Sequence, residues 1–332
     1  MSADLVLRNA VAAAVMAPSS HNTQPWRFRI TGQTLDLLAD TRRQLAVIDR
    51  DRRQLVQSCG CALFNARVAI RAMGHADEVT VMLVDNEHPE HLASIHLGGL
   101  HVPTDTDRTL MGAIGCRATN RRAFLPRPVP PEDIAVLAAA AEQEGAAFSR
   151  LWPAQKAALA ALIEEADQQQ LADPRFRDEL GRWLVGTGSP RRDGIPFVEK
   201  EYGSAIPFSV PRTLRSTLLG DAFGLLEEAL VRGAPAVIVL GTPKDDVTSW
   251  LACGQAIEAV LLHATARGLS AAFLNQVLEI PGLRARVANI VPDVGYPQMV
   301  LRIGVPAEPI ERRAPRRNIA DVIEVVHPPL AR

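Results

Sequence analysis

Residues 17–28 read Ala-Pro-Ser-Ser-His-Asn-Thr-Gln-Pro-Trp-Arg-Phe. Two hydroxyls, Ser19 and Ser20, and two carboxamides, Asn22 and Gln24, are held between Pro18 and Pro25. A short turn with this many donors and acceptors can hydrogen-bond the edge of a planar heteroaromatic ring. The same residue types are common where a helix ends in a turn and a hairpin. It is the ordered string, not the composition, that favours a binding site.

Two further strings are cationic. Arg117-Ala118-Thr119-Asn120-Arg121-Arg122-Ala123-Phe124 places a hydroxyl among three arginines, and Arg312-Arg313-Ala314-Pro315-Arg316-Arg317 sets four arginines in six positions. Guanidinium forks grip phosphate oxygens bidentately and keep their charge. Either string could instead be a solvated turn or tail. A basic tail that meets nucleic acid or an anionic membrane fits poorly with a formal net charge of −1.

The elements that must position these groups follow from periodicity. Leu5, Ala12, Val15 and Met16 suggest one helical stripe, stopped with the help of Pro18. Trp26–Ile30 and Thr34–Leu38 form an expected hairpin across Thr31-Gly32-Gln33, and Val79–Val84 with Ser94–Leu97 complete a small sheet. Leu55, Cys59, Ala62, Leu63, Ala66, Ala69 and Ile70 predict a buried central helix. Pro126–Pro131 is a stiff connection into a helix beginning near Glu132, followed by a helix over 154–167. Ala236–Leu240 and Met299–Ile303 are expected buried strands. Residues 168–215 break the rhythm with glycines, prolines, charges and the aromatics Phe176, Trp183, Phe197, Tyr202 and Phe208, as a packed lid over a site would.

An internal echo organises the whole. Cys59-Gly60 and Cys253-Gly254 each open an apolar helical stretch that ends on a glycine at the same interval, Gly74 and Gly268. Strand-like runs closing on Gly98 and Gly304 follow. A period of about 194 residues is too long for a solenoid and points to duplication of a domain. The expected halves are residues 1–112 and 113–332, with the lid at about 168–215 in the second.

The chain has 332 residues, 47% hydrophobic and 22% charged, enough to bury a substantial core. No apolar run reaches the roughly 18 residues that span a bilayer, and the first residues lack a secretory layout, so the expectation is a cytoplasmic protein without a membrane partner. Four cysteines are too few for a disulfide framework. Cys59-x-Cys61 has no second pair to make a zinc site, and His88, His91, His96 and His101 imply no compact ligand geometry, so no metal is expected.

The string at 17–28 resembles the Ser-Ser-x-Asn-x-Gln-Pro-Trp signature of the nitroreductase family, which lies beside the isoalloxazine of a bound FMN. Arg117–Phe124 resembles the Arg-x-Ser-x-Arg string that opens nitroreductase domains, with Thr119 in the hydroxyl position and one extra residue before the aromatic. The resemblance implies an α+β nitroreductase-like fold and FMN as cofactor. It assigns Ser19, Ser20, Asn22 and Gln24 to the ring, and Arg117, Thr119 and Arg121 to phosphate, ribityl chain or pyrimidine edge. Family chains also end in a basic, Pro-containing stretch that reaches the phosphate, here Arg316 and Arg317. The segment after the repeated helix, Ala272, Phe273, Leu274 and Asn275, is the window whose backbone would face the ring near N5.

Family members are intertwined homodimers whose sites draw the Ser/Asn/Gln segment from one subunit and the Arg string from the other. Here each string occurs in a different half, and Leu5–Asn9 and Phe148–Trp152 lack the parts of a mirror site. The chain is thus similar to the Acg-type subgroup: a fused pseudo-dimer of two interlocked halves with one FMN site. Such a chain has already buried the surface that homodimers use, so a monomer is expected, with a dimer of fused chains as the alternative. The implied activity is hydride transfer from NAD(P)H to a nitro or quinone acceptor, with no protein residue singled out as catalytic. The alternative is a flavin-binding or flavin-sequestering protein whose lid blocks turnover.

Overall fold

The computed structural model describes residues 1–82, 90–186, 188–197, 231–310 and 314–326. Helix α1 (Ala3–Ala14) starts at Ser2, whose hydroxyl accepts from the Leu5 amide. Its buried face is Val6, Leu7, Ala10, Val11, Ala13 and Ala14, while Leu5 is 48% exposed. The stripe expected from Leu5 is therefore corrected. An Ala/Val-rich helix offers two apolar faces, and the Asp4–Arg8 ion pair keeps the Leu5 side in solvent.

Strands β1 (Trp26–Thr31) and β2 (Thr34–Ala39) form the expected hairpin. They are joined by β3 (His75–Val81) and β4 (His91–Leu100) in a five-stranded sheet of order β11-β1-β2-β4-β3. Its outermost strand, β11 (Ile323–Val326), arrives from the far end of the chain and runs parallel to β1, with Phe28 opposite Ile323. A second, antiparallel sheet of order β5-β8-β10-β9 uses β5 (Ala147–Arg150), β8 (Ala236–Thr242), β9 (Ser270–Phe273) and β10 (Tyr296–Gly304).

Between the sheets lie α2 (Arg53–Ala72) and α7 (Val247–Ala266), the two helices of the internal echo. They touch where the echo is strictest. A Cβ on Gly60 would stand 2.3 Å from the Leu251 carbonyl oxygen, and one on Gly254 would stand 2.2 Å from that of Gln57. Only glycine permits this approach. The Cys61 thiol donates to the Gly254 carbonyl at 3.2 Å across the same crossing. The core around these helices is continuous, taking Trp26, Leu63 and Ile70 from one side and Ile238, Leu262 and Leu301 from the other.

Helix α3 (Asp105–Cys116) crosses the expected 112/113 boundary, and α4 (Pro131–Gln143) and α5 (Pro153–Ala172) follow it. The 168–215 stretch is more regular than expected: its start completes α5, then Asp173 caps α6 (Pro174–Trp183). Phe176 and Leu180, one turn apart, bury against Leu45, Ile48 and Ile195, which the charged residues around them obscure in the sequence. Short parallel strands β6 (Leu184–Gly186) and β7 (Ile195–Phe197) come next. Residues 198–215 of the expected lid, with Tyr202 and Phe208, lie outside the described residues, as do His88, Arg312 and Arg313. Helix α8 (Pro281–Ile290) covers the outer face of the second sheet. Among the described residues no helix is long and apolar enough to cross a membrane.

Candidate functional site

The Ser-Ser string leaves α1 as a strained turn. His21, Asn22 and Gln24 have φ of 48°, 53° and 50°. L-residues enter this left-handed region at a cost of roughly 1–2 kcal/mol each. The turn is held by Asn22 N to Ser19 O (2.9 Å), Thr23 N to Ser20 O (3.0 Å) and Gln24 N to the Ser19 hydroxyl (2.9 Å). Trp26, fully buried, fixes its exit into β1. Ser20 donates to the Gln54 side chain at 2.6 Å, tying the turn to α2.

Three distant segments meet this turn. From the end of the chain, Arg316 donates to Asn22 Oδ1 (3.2 Å) and to the Met16 carbonyl (3.1 Å). The Arg317 amide donates to Gln24 Oε1 (2.7 Å), and its guanidinium to the Gln24 carbonyl (3.1 Å). From the end of α3, Arg117 donates to that same Met16 carbonyl at 3.3 Å. From the stretch after α6, Gly194 exchanges bonds with Asn22, its amide reaching Asn22 O at 3.2 Å and its carbonyl taking Asn22 Nδ2 at 3.0 Å. Gln24 Nε2 donates to the Arg192 carbonyl at 2.8 Å, and Arg43 binds both Thr23 O and the Asp193 carboxylate.

The Arg117 string continues along β9. Thr119 bridges Ala271, and the Asn120 amide donates to the Ala271 carbonyl at 2.9 Å. Residues 270–273 of this segment are thus a strand. Leu274 points into the core behind the second sheet, and Asn275 Oδ1 accepts from the Val300 amide at 3.2 Å. Neither side chain is turned toward the Ser-Ser turn. Arg122, beside the extra residue of the string, pairs with Glu308 at the surface.

Electrostatically the meeting point is cationic, buried at Arg117 and open toward Arg121. Arg117 is 6% exposed, and burial with the neighbouring Arg117 charge pulls Arg316 down to about 10, so it stays charged at neutral pH. Arg121 is exposed and, among the described residues, has no hydrogen-bond partner. Burial, and then the charge of Arg121, lowers the His21 imidazole to about 4, leaving it neutral. Its Nδ1 is buried without a hydrogen bond, as are Arg117 Nε, Arg316 Nε and Asn120 Nδ2. Unsatisfied buried donors of this density call for an acceptor-rich group.

Sequence reasoning did not single out His21 as a site residue, the 192–194 strand entry, or Glu258. Glu258 stands 3.6 Å from Arg117 Nε and is fully buried. Its signal was available: it is the sole acid of an otherwise apolar α7.

The nitroreductase family model matches residues 114–305, beginning within α3 and ending just after β10. Among curated proteins, "Putative NAD(P)H nitroreductase Rv3131" of Mycobacterium tuberculosis is 35% identical over 96% of this chain and 91% of its own. "Putative NAD(P)H nitroreductase acg" of the same organism is 30% identical over 96% of each chain. A solved structure, the FMN-dependent nitroreductase NfnB of Mycobacterium smegmatis in complex with NADPH, aligns at 18% identity and TM-score 0.44. That alignment covers 65% of this chain and 97% of NfnB. With a family model over more than half its length and relatives matched nearly end to end, this α+β chain belongs to the nitroreductase family.

Proposed function

We propose that the chain binds one FMN where the Ser-Ser turn, the Arg117 string and the Arg316-Arg317 pair converge, and uses it to pass hydride from NAD(P)H to a nitro or quinone acceptor. The observation that carries this is the shared Met16 carbonyl, where Arg117 and Arg316, far apart in sequence, arrive beside Asn22. The residues fit the group. Arg316 Nε has no hydrogen-bond partner and Arg117 Nε only the ion pair with Glu258, which suits both to phosphate oxygens, and the side-chain Nδ2 of Asn120, also without a hydrogen bond, suits the ribityl or ring edge. Thr119, Arg121 and the backbone of Ala272–Asn275 are assigned to the remaining edges of the same ligand. A bound flavin supplies two-electron hydride chemistry, and the protein supplies binding, orientation and electrostatics. Ser19 and Ser20 hold the turn in shape, His21 stays uncharged, and the 192–194 segment keeps water from the buried face. The nicotinamide donor is taken from the names of the relatives.

In this reading both parts of a dimeric flavin site lie in one chain, residues 1–112 giving the turn and 113–332 the arginines. The abutting Gly60 and Gly254 support it, since a duplicated helix meeting its copy at equivalent glycines is what a fused pair of subunits would retain. The protein is then a cytoplasmic monomer. A colourless protein that also fails to bind added FMN, assayed by absorbance and by release on denaturation, would overturn the proposal.

The second reading, flavin binding with little turnover, draws on the 192–194 segment, which is bonded to both carboxamides of the turn. Such a strap would occupy the approach of a nicotinamide. Stopped-flow mixing with NADH and NADPH separates the two: rapid bleaching of the flavin eliminates the sequestering reading.

A further inference from the structure

Beneath the Ser-Ser turn lies a buried charge cluster. Glu258 is 0% exposed, and neither of its oxygens has a hydrogen-bond partner. Arg117 Nε stands 3.6 Å away with its side chain 5% exposed. Arg117 and Arg316 converge on the Met16 carbonyl, so two guanidiniums and one carboxylate share one space, Arg117 and Glu258 buried and Arg316 half-buried. From α2, Asn65 lies beside the carboxylate while its Nδ2 donates to the Ala13 carbonyl at 3.3 Å, and the Cys61 thiol, donating to the Gly254 carbonyl, lies within electrostatic reach. Burial first, then Glu258, pushes that thiol far up, so it stays neutral. These are the polar and titratable groups that face Glu258 from α2, α3 and the C-terminal segment.

An ion pair this dry and this poorly hydrogen-bonded is weak as a stability device, because desolvation rivals the attraction. Its charge arithmetic is more informative. Two arginines and one carboxylate leave a buried excess of one positive charge. A dianionic phosphate on the same arginines would turn that into a buried negative excess. We propose that Glu258 is the internal counter-anion of the Arg117–Arg316 pair, and that it takes a proton from solvent when a phosphate-bearing ligand engages those arginines. The inference rests on the flavin reading and gives it a linkage of its own. Burial, opposed by Arg117, raises Glu258 to about 7, so its charge is poised to change near neutrality. Drawing the guanidiniums toward phosphate and adding a like charge raises it further.

The sign follows. Between the lower value of the free protein and the higher one of the complex, the complex holds one more proton, so affinity falls as pH rises, by up to about tenfold per pH unit. Above about pH 7.5 a phosphate monoester is fully dianionic, its second pKa being about 6, and its own titration does not intrude.

The test is calorimetry of FMN and of riboflavin, which lacks the phosphate, on the full chain between about pH 7.5 and 9, in buffers of differing ionisation enthalpy. The wild type should take up about one proton per FMN, with affinity falling across the range, and none with riboflavin. Glu258→Gln should take up none with either ligand and show a flat FMN profile. Equal uptake by both proteins, or none by the wild type, overturns the proposal. Should Glu258→Gln fail to fold, the FMN–riboflavin contrast in the wild type decides alone. A wild type that binds no FMN at any pH overturns the flavin reading itself.

Discussion

Replacing Gly254 by alanine puts a methyl group where two helix backbones touch. The new Cβ would lie 2.2 Å from the Gln57 carbonyl oxygen and 2.8 Å from the Gly60 Cα, both main-chain atoms of a buried helix. No flexible side chain can swing aside, so α2 and α7 must part by roughly 1 Å to restore ordinary contact. Overpacking of this kind costs about 1–3 kcal/mol, and the upper end applies because whole helices move. Alanine returns about 1 kcal/mol through helix propensity, which leaves a net loss of about 2 kcal/mol. At 2–4 °C per kcal/mol for a large domain, the melting temperature should fall by roughly 4–8 °C. Gly112 on α3 is the control, since a Cβ there meets nothing within 4 Å. Gly112→Ala should gain about 0.5–1 kcal/mol. Calorimetric melting of the two variants reads the difference. Because Glu258 sits one turn beyond Gly254, FMN affinity should fall with Gly254→Ala and not with Gly112→Ala. A Gly254→Ala protein as stable as the wild type would refute the glycine crossing.

Other expectations concern charge. Replacing Arg316 and Arg317 together by alanine should weaken FMN more than riboflavin, by the roughly 10- to 100-fold that lost charge-assisted bonds imply, and fluorescence titration that finds equal loss for both refutes the phosphate assignment. Arg43→Ala removes the ion pair to Asp193 and the cation–π contact with Trp183 at 5.6 Å. Under the sequestering reading it should speed flavin bleaching by NADPH roughly two- to fivefold, the worth of about 0.5–1 kcal/mol, and an unchanged rate counts against the strap. Asp107, despite the opposing pull of burial, is held down to about 2 by hydrogen bonds from His101 and Thr104 and by Arg71. A depressed carboxyl stabilises above its unfolded pKa of about 3.9, and that contribution is lost as pH falls through about 2. Acid unfolding of Asp107→Asn should therefore be shallower between those values.

Legibility in the sequence tracked how local each signal was. The Ser-Ser turn could be located because its prolines and small polar residues act over a dozen positions, and the hairpin after it reads from alternation alone. The echo of Cys59-Gly60 in Cys253-Gly254 marked the helix crossing because backbone contact admits so few residue types. Helix α6 was hidden: Arg175, Arg177, Asp178, Glu179 and Arg182 suggest a loop, and only the Asp173-Pro174 cap and the Phe176/Leu180 spacing betray it. Once folded, even Glu179 is inward, its carboxylate accepting from the Val47 amide at 3.0 Å. The pairing of β11 with β1 and of Glu258 with Arg117 joins segments far apart in the chain, which no window of sequence encodes, although a lone acid in α7 marks Glu258 itself.

The carboxamides of the turn carry a last consequence. The resemblance gave Asn22 and Gln24 to a flavin ring, yet their polar atoms are engaged within the chain. Asn22 Nδ2 donates to Gly194 O and Pro315 O, at 3.0 and 3.1 Å, while its Oδ1 accepts from Arg316. Gln24 Nε2 donates to Arg192 O and its Oε1 accepts the Arg317 amide. With the second Gln24 hydrogen going to the Asn22 carbonyl at 3.4 Å, neither amide can donate to a new ligand until a partner leaves, although each oxygen keeps a lone pair that can accept. The residues of the motif therefore act first as clamps, binding the strap on one side and the arginine tail on the other. Under the proposed flavin reading, a ligand gripping Arg316 would draw it from Asn22 Oδ1, the side chain whose Nδ2 also holds Gly194 O. The turn holds both amides buried between two segments distant in sequence, residues 192–194 and 315–317.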